Sequence, residues 1–312
     1  MNEHPVPSAL ARELVRGAYD LHLHLDPDVF RRRTTDLELA RRFRDLGMAG
    51  FVLKSHYAPT AERAAVVRAA EPGVDVIGSI TLNRAVGGLN PIAVEVAARV
   101  GCGIVWMPTF DSYNEPAGRE EPKPGDILPP WARMQHELRA QGMGSDPIAV
   151  VDAEGEVVPE LRRVLAVVAA HDSVLATGHL SRDEIFSVVD AALQEGVRRI
   201  VITHPEFTSQ RLKAADQAEL ANRGCYLERC FNTPYTGKCT WDEMFANIRA
   251  AGVERSVVST DLGQVDNPLP EDGLPLMVDR LLEGGFTEPE VRKMVVDNTL
   301  ALARSRTATK LA

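Results

Sequence analysis

The chain has 312 residues, 45% hydrophobic and 25% charged, with a formal net charge of −9. That balance supports a large buried core and argues against general disorder. An acidic chain also lacks the clustered Lys and Arg that a phosphate backbone needs, so nucleic acid is not an expected partner.

In chain order, short apolar β-branched runs alternate with segments of 3.6-residue periodicity, the pattern of buried parallel strands covered by helices. The runs place strands at Tyr19–Asp26, Gly50–His56, Asp75–Leu82, Gly103–Thr109, Ser173–His179, Arg199–His204, Cys225–Cys230 and Ser256–Asp261. Capping-box pairs Thr35/Glu38, Ser181/Glu184, Thr240/Glu243 and Thr287/Glu290 mark helix starts, and Gly47, Gly196, Gly224 and Gly252 mark helix ends. The basic run Arg31–Arg33 precedes Asp36 and Glu38 and reads as a solvated face. After the fourth strand, residues 110–130 carry Pro116, Pro122, Pro124, Pro129 and Pro130, which suits a long loop and a candidate lid. Val150–Val158, centred on Glu154-Gly155, reads as a small hairpin. Eight strand–helix units predict an α/β fold: one (β/α)8 TIM-barrel domain over residues 1–312, with a loop insertion after strand four.

Cys102, Cys225, Cys230 and Cys239 show neither CxxC spacing nor the density of a disulfide framework, which points to a reducing cytoplasm. The N-terminus lacks the pattern of a secretion leader, and no apolar run approaches the roughly 20 residues that span a bilayer. The expectation is a soluble cytoplasmic protein without a membrane partner, its oligomeric state left open.

In a (β/α)8 barrel the carboxyl ends of the strands carry the chemistry. His22 and His24 are spaced by two on strand one and so share a side; strand five ends in His179, strand six in His204 and strand eight in Asp261. Imidazoles and a carboxylate converging on one opening suit a divalent ion, Zn²⁺ first and Mn²⁺ or Fe²⁺ next, present as one or two ions. On strand two, Lys54 and His56 also share a side. There Lys54 is a candidate bridging ligand, general acid or anion contact, and His56 a candidate substrate or metal contact. On strand seven Glu228 and Arg229 face opposite ways, with Glu228 the better internal candidate and a salt bridge among the helices its rival reading. Tyr57, Thr109, Ser181, Glu206 and Asn232 lie just beyond strand ends, where a substrate pocket would be.

The segments DLHLHLD (Asp20–Asp26), ATGHLS (Ala176–Ser181), ITHPE (Ile202–Glu206) and STDLGQ (Ser259–Gln264) resemble the amidohydrolase superfamily, whose members carry HxH, His, His and Asp on strands one, five, six and eight. The closing VVDNTLALA (Val295–Ala303) is similar to the Asn-containing last helix of many members. Strand four departs from the binuclear members: Val105–Thr109 offers no Lys or Glu to bridge two metals, which leaves the metal count open. The resemblance implies that His22, His24 and His179 hold a metal, that His204 holds a second metal or polarises substrate, and that Asp261 contacts metal and serves as general base and acid. It implies a hydrolase that uses metal-activated water on an amide, lactam, lactone or related C–N or C–O bond of a small molecule. The alternatives are a metal-dependent non-oxidative decarboxylase of a small carboxylic acid and, outside catalysis, an inactive metal-bearing binding protein.

Overall fold

The computed structural model describes residues 5–118, 120, 125, 128–143 and 146–303. Eight parallel strands follow one another in sequence order: β1 (Tyr19–Leu23), β2 (Gly50–Leu53), β3 (Asp75–Thr81), β4 (Cys102–Trp106), β5 (Val174–Ala176), β6 (Ile200–Ile202), β7 (Tyr226–Cys230) and β8 (Ser256–Ser259). The ring closes between the end of β1 and the turn after β8. There the Asp261 N–H donates to His22 O and the His24 N–H to Leu262 O, each at 2.9 Å. This is the expected (β/α)8 barrel with alternating helices.

Most of the strands stop earlier than the apolar runs predict, so Lys54, His56, Thr109, His179, His204 and Asp261 sit in the turns just past them. The turns explain the early stop. Gly178, His204 and Asp261 take positive φ values of 60°, 24° and 53°, which no strand accommodates.

Tyr19, Leu21, Val52, Ile77, Ile104, Trp106, Val201 and Val257 fill the barrel interior, and two further apolar clusters join the outer strand faces to the helices. Strand β1 carries an irregularity that matters for the site. Its register against β2 slips between Asp20 and Leu23, so Leu21 packs into the interior while the next residue, His22, reaches Glu228 inside the same barrel. An extra residue of this kind re-aims the side chain that follows it.

Thr35/Glu38, Ser181/Glu184 and Thr287/Glu290 form complete capping boxes, whereas Thr240 accepts from the Glu243 N–H without the reciprocal bond. Asn298 in the closing helix donates to Val253 O (2.9 Å) and Ser256 O (2.7 Å), tying that helix to the start of β8. The hairpin appears as an antiparallel bridge between Val151 and Val157. The long loop follows β4 as expected; Pro122 and Pro124, with residues 119, 121, 123 and 126–127, lie outside the described residues. Beyond it, a helix over Pro130–Ala140 falls where the sequence offers no capping signal. All four cysteines are buried and unpaired, and no helix among the described residues is long and apolar enough to cross a membrane.

Candidate metal centre

Side chains from β1 and the turns after β2, β5, β6 and β8 meet at the carboxyl end of the barrel, with Trp106 from β4 as their floor. The Trp106 ring lies 4.7 Å from the His22 ring and 4.1 Å from Lys54 Nζ. At the centre, Asp261 Oδ1 is 3.2 Å from His22 Nε2 and 3.2 Å from His24 Nε2.

Hydrogen bonding orients the His22 ring. Glu228 from β7 places its two oxygens 3.1 and 3.2 Å from His22 Nδ1, and burial opposes its ionisation. His22, with the Ser259 hydroxyl at 2.7 Å, nevertheless holds the carboxyl down at about 2. An ionised carboxylate only accepts, so Nδ1 is the nitrogen that donates to Glu228, which leaves Nε2 to face a cation. Nε2 lies beside both the Asp261 carboxylate and the Lys54 ammonium, whose Nζ is 2.9 Å away.

Burial pushes Lys54 below the ordinary lysine value, against the pull of Asp261 and Glu228. It pushes His24 down to about 3, and His56 and His204 well below the ordinary imidazole value, so these rings are neutral. Burial alone would raise the Asp261 carboxyl, but the neighbouring His22 and His24 hold it well below the usual range.

These donors fit a small divalent cation. Two ligands bound tetrahedrally at about 2.0–2.1 Å lie about 3.3 Å apart, close to the observed separations. His22 Nε2 and Asp261 Oδ1 share one space with Lys54 Nζ, which lies 2.9 Å from that nitrogen, so a divalent ion bound there would take the place of the ammonium contact. His24 Nδ1 and His204 Nδ1 are buried without a partner, which marks polar capacity the protein leaves unused. A second group within ligand distance, His22 with Glu228 and Cys230, is a poorer cation site. Its imidazole Nδ1 is committed to Glu228, and burial keeps the Cys230 thiol protonated.

The other expected residues take distinct places. The His204 ring stacks 5.9 Å from His22 and lies 5.0 Å from His179, while its backbone N–H donates to Glu228 at 3.2 Å. His56 shares a hydrogen bond with Thr109 Oγ1 at 2.8 Å and stacks on His24 at 4.8 Å, at the rim rather than the centre. Tyr57 is half-buried among the rings of Phe30, His56 and Phe110, its hydroxyl unpartnered and raised by burial. Asn232 Nδ2 stands 3.4 Å from Asp261 Oδ2.

Two of the pocket candidates are engaged elsewhere. Ser181 forms the expected capping box with Glu184 at the start of the helix Arg182–Gln194. Glu206 is buried against Arg229 on the outside of β7, a salt bridge that Gln217 completes. The helix-side ion pair therefore belongs to Arg229, while Glu228 faces inward.

Glu115 is a residue the sequence reading missed. It reaches in from the long loop, its Oε1 2.7 Å from His179 Nδ1 though off the line of a hydrogen bond. Nothing in the loop's composition signals it. Backbone geometry adds an independent mark: His204 and Asp261 are non-glycine residues held in the left-handed region, a strain that clusters at functional sites. A groove of about 550 Å³, lined by Val6, Tyr235, Trp241 and Asp279 among others, shares no residue with this cluster.

A family model described as a family of unknown function (DUF6282) matches residues 17–228. The chain belongs to this family. The matched segment holds His22, His24, Lys54, His179, His204 and Glu228 and stops short of Asp261. No curated protein matches in sequence.

Among solved structures, an amidohydrolase from Pseudomonas aeruginosa is 14% identical with a TM-score of 0.60, covering 95% of this chain and 98% of that one. A lactonase from Listeria monocytogenes is 14% identical with a TM-score of 0.58, covering 95% and 97%. A 2,6-dihydroxybenzoate decarboxylase from Rhizobium is 12% identical with a TM-score of 0.54, covering 93% and 99%. The likeness is one of fold, a (β/α)8 barrel shared with an amidohydrolase, a lactonase and a decarboxylase.

Proposed function

We propose that the chain is a metal-dependent hydrolase that cleaves an amide, lactam, lactone or related C–N or C–O bond of a small molecule. One observation carries the reading: His22 Nε2, its ring oriented by Glu228, meets Asp261 Oδ1 at 3.2 Å beside His24. His22, His24 and Asp261 would hold the ion, with His179 and His204 adjoining them. A divalent ion supplies Lewis acidity, polarising a carbonyl and lowering the pKa of water.

The chain's own groups divide the remaining work. Asp261 is ionised and turns Oδ1 to the histidines, which leaves Oδ2, steadied by Asn232, to take the proton of the attacking water and return it to the leaving group. His204 and Lys54 adjoin His22 and would stabilise the charge that the carbonyl oxygen gains. Trp106 seals the floor against water, and Phe110 covers His56 from the mouth.

Non-oxidative decarboxylation is a second reading with one observation behind it. β4 ends at Trp106, and neither it nor the Met107-Pro108 that follows offers a side chain to bridge two ions. The product separates the two: a new carboxylate with alcohol or amine, against carbon dioxide.

The test is metal content by plasma mass spectrometry on protein purified without added metal, followed by ester, lactone and amide panels, for wild type, His24→Ala and Asp261→Asn. The expected result is bound Zn, Mn or Fe in wild type, less of it in His24→Ala, and hydrolysis abolished in Asp261→Asn. A wild type that holds no metal and takes up neither Zn²⁺ nor Mn²⁺ would refute the proposal. So would an Asp261→Asn that hydrolyses at the wild-type rate.

A further inference from the structure

The turns after β2, β3 and β4 share one buried chain of hydrogen bonds. Asn83, just past β3, accepts the Thr109 N–H on Oδ1 at 2.8 Å. Its Nδ2 donates to Thr109 Oγ1 at 2.7 Å and to the His56 carbonyl at 3.1 Å. Thr109 Oγ1 in turn lies 2.8 Å from His56 Nδ1. All three residues are buried, and Thr109 Oγ1 meets no further partner among the described residues.

The donors and acceptors in this chain leave one assignment. A backbone N–H only donates, so that of Thr109 fixes Asn83 Oδ1 and turns Nδ2 to the hydroxyl. Thr109 Oγ1 therefore accepts from Asn83, and its own proton has one acceptor in reach, His56 Nδ1. A proton on Nδ1 instead would leave a fully buried hydroxyl without an acceptor, which is costly. Nδ1 of the neutral ring thus accepts, and Nε2 carries the proton. The ring stacks on His24 at 4.8 Å and on Phe110 at 3.9 Å, which holds its plane, and it lies 6.3 Å from His179. Although the ring is buried, Nε2 meets no protein partner among the described residues. Its N–H is left to a ligand.

We propose that His56 donates a hydrogen bond from Nε2–H to a carbonyl or ester oxygen of the substrate, and that Asn83, acting through the Thr109 hydroxyl, is the positioning residue that keeps it a donor. This rests on the reading of the His22–His24–Asp261 cluster as the reacting centre, which His56 borders through His24. His56 is then no ligand to the ion. The site favours substrates that offer an oxygen acceptor at this position and rejects those that present an N–H or ammonium group there, because two facing donors leave both unpaired.

The ring is read by nitrogen–proton multiple-bond NMR on the full chain, labelled with heavy nitrogen in histidine, with His56→Gln assigning the signals. In wild type at neutral pH the proton should sit on Nε2. Asn83→Asp puts a carboxylate where the amide donated, so the Thr109 hydroxyl turns to it and the His56 proton should move to Nδ1. Thr109→Val should shift Nδ1 towards the resonance of an unbonded ring nitrogen, and Thr109→Ser should restore it. The ligand probe is pyrrolidinone, a lactam with a carbonyl acceptor, against pyrrolidinium, which only donates. Pyrrolidinone should move the Nε2 signal saturably and bind Asn83→Asp about fivefold or more weaker, the size of one lost hydrogen bond, while pyrrolidinium leaves the signal unmoved. The proposal is overturned if wild-type His56 carries its proton on Nδ1, if neither Asn83→Asp nor Thr109→Val changes a ring nitrogen, or if pyrrolidinone leaves Nε2 unmoved up to about 100 mM. Zinc titration of the same preparations separates the two layers. Signals as expected in a chain that takes up no Zn²⁺ overturn the hydrolase reading and support the donor assignment. Zn²⁺ binding that His56→Gln weakens as much as His24→Ala makes His56 a ligand, which overturns this proposal and leaves the metal reading standing.

Discussion

Glu228→Gln isolates the contribution of a residue that touches no reacting atom. Glu228 gathers His22 Nδ1 at 3.1 and 3.2 Å, Ser259 Oγ at 2.7 Å and the His204 N–H at 3.2 Å on two carboxylate oxygens. A glutamine keeps the shape but offers one acceptor oxygen and one NH2, so either His22 or the His204 N–H faces a donor where it had an acceptor. If the imidazole gives way, its proton moves to Nε2, which can then no longer face a cation. If the peptide gives way, the left-handed turn at His204 loses an anchor.

The substitution also removes the negative charge that makes His22 a stronger donor to a cation. Loss of such a partner weakens metal affinity about 10–100-fold, or about 1.4–2.7 kcal/mol. The assay is Zn²⁺ titration against a chromophoric chelator at neutral pH, with circular dichroism and thermal melting to verify folding. Affinity in folded Glu228→Gln within about twofold of wild type would refute the argument that Glu228 orients His22 for a cation.

Three further outcomes follow from other contacts. Glu206→Gln leaves the fully buried Arg229 without its anion and should cost about 3–5 kcal/mol in urea unfolding, part of it recovered in the double variant with Arg229→Met; a loss below about 1 kcal/mol would contradict this. Gly263→Ala puts a Cβ 1.7 Å from His24 O at a φ of +130° and should cost at least about 3 kcal/mol as well as metal affinity, whereas Gly285→Ala, with φ +78° and open space, should cost about 1 kcal/mol; equal losses would refute the packing argument. The Arg182 hydrogen bond holds the Asp216 carboxyl below its ordinary 3.8. Its stabilisation is therefore present above that value and lost as pH falls through the lower native one, so Asp216→Asn should flatten the acid limb of stability by less than about 1 kcal/mol, Arg182 being half exposed.

The barrel and the strand-end positions of the polar groups are legible in the sequence because both rest on local rules. β-branched runs end where His, Lys and Asp begin, and spacing by two puts His22 with His24 and separates Glu228 from Arg229. What the sequence hides depends on distant contacts. Glu115 arrives from a proline-rich loop, and Phe110, Trp131 and Phe207 gather around His56, His179 and His204 only when the turns after β4 and β6 and the helix Pro130–Ala140 converge. Glu206 lies just past β6 and by position alone belongs to a pocket; a buried arginine on the next strand draws it outward. The register slip in β1 has no residue signature, yet it lets Leu21 and His22 both face inward.

The placement of strain argues for the same centre as the chemistry does. Many outer contacts of the barrel are well formed: complete capping boxes at Thr35, Ser181 and Thr287, and an asparagine bond from Asn298 to the base of β8, although Asp172 and Arg211 also take positive φ there. Against that background, His204 and Asp261 hold left-handed backbones, Gly178 and Gly263 leave no room for a Cβ, and Lys54 is buried against an imidazole nitrogen. A fold with this many well-formed elements can hold such costs in one place, and chain statistics alone would not collect them there. Of these, Asp261 and Lys54 bring a carboxylate and an ammonium to His22, and Gly263 lets the chain pass against the His24 carbonyl. The Glu228→Gln titration is therefore a test of the whole arrangement, since it removes one support from His22 while leaving every ligand in place.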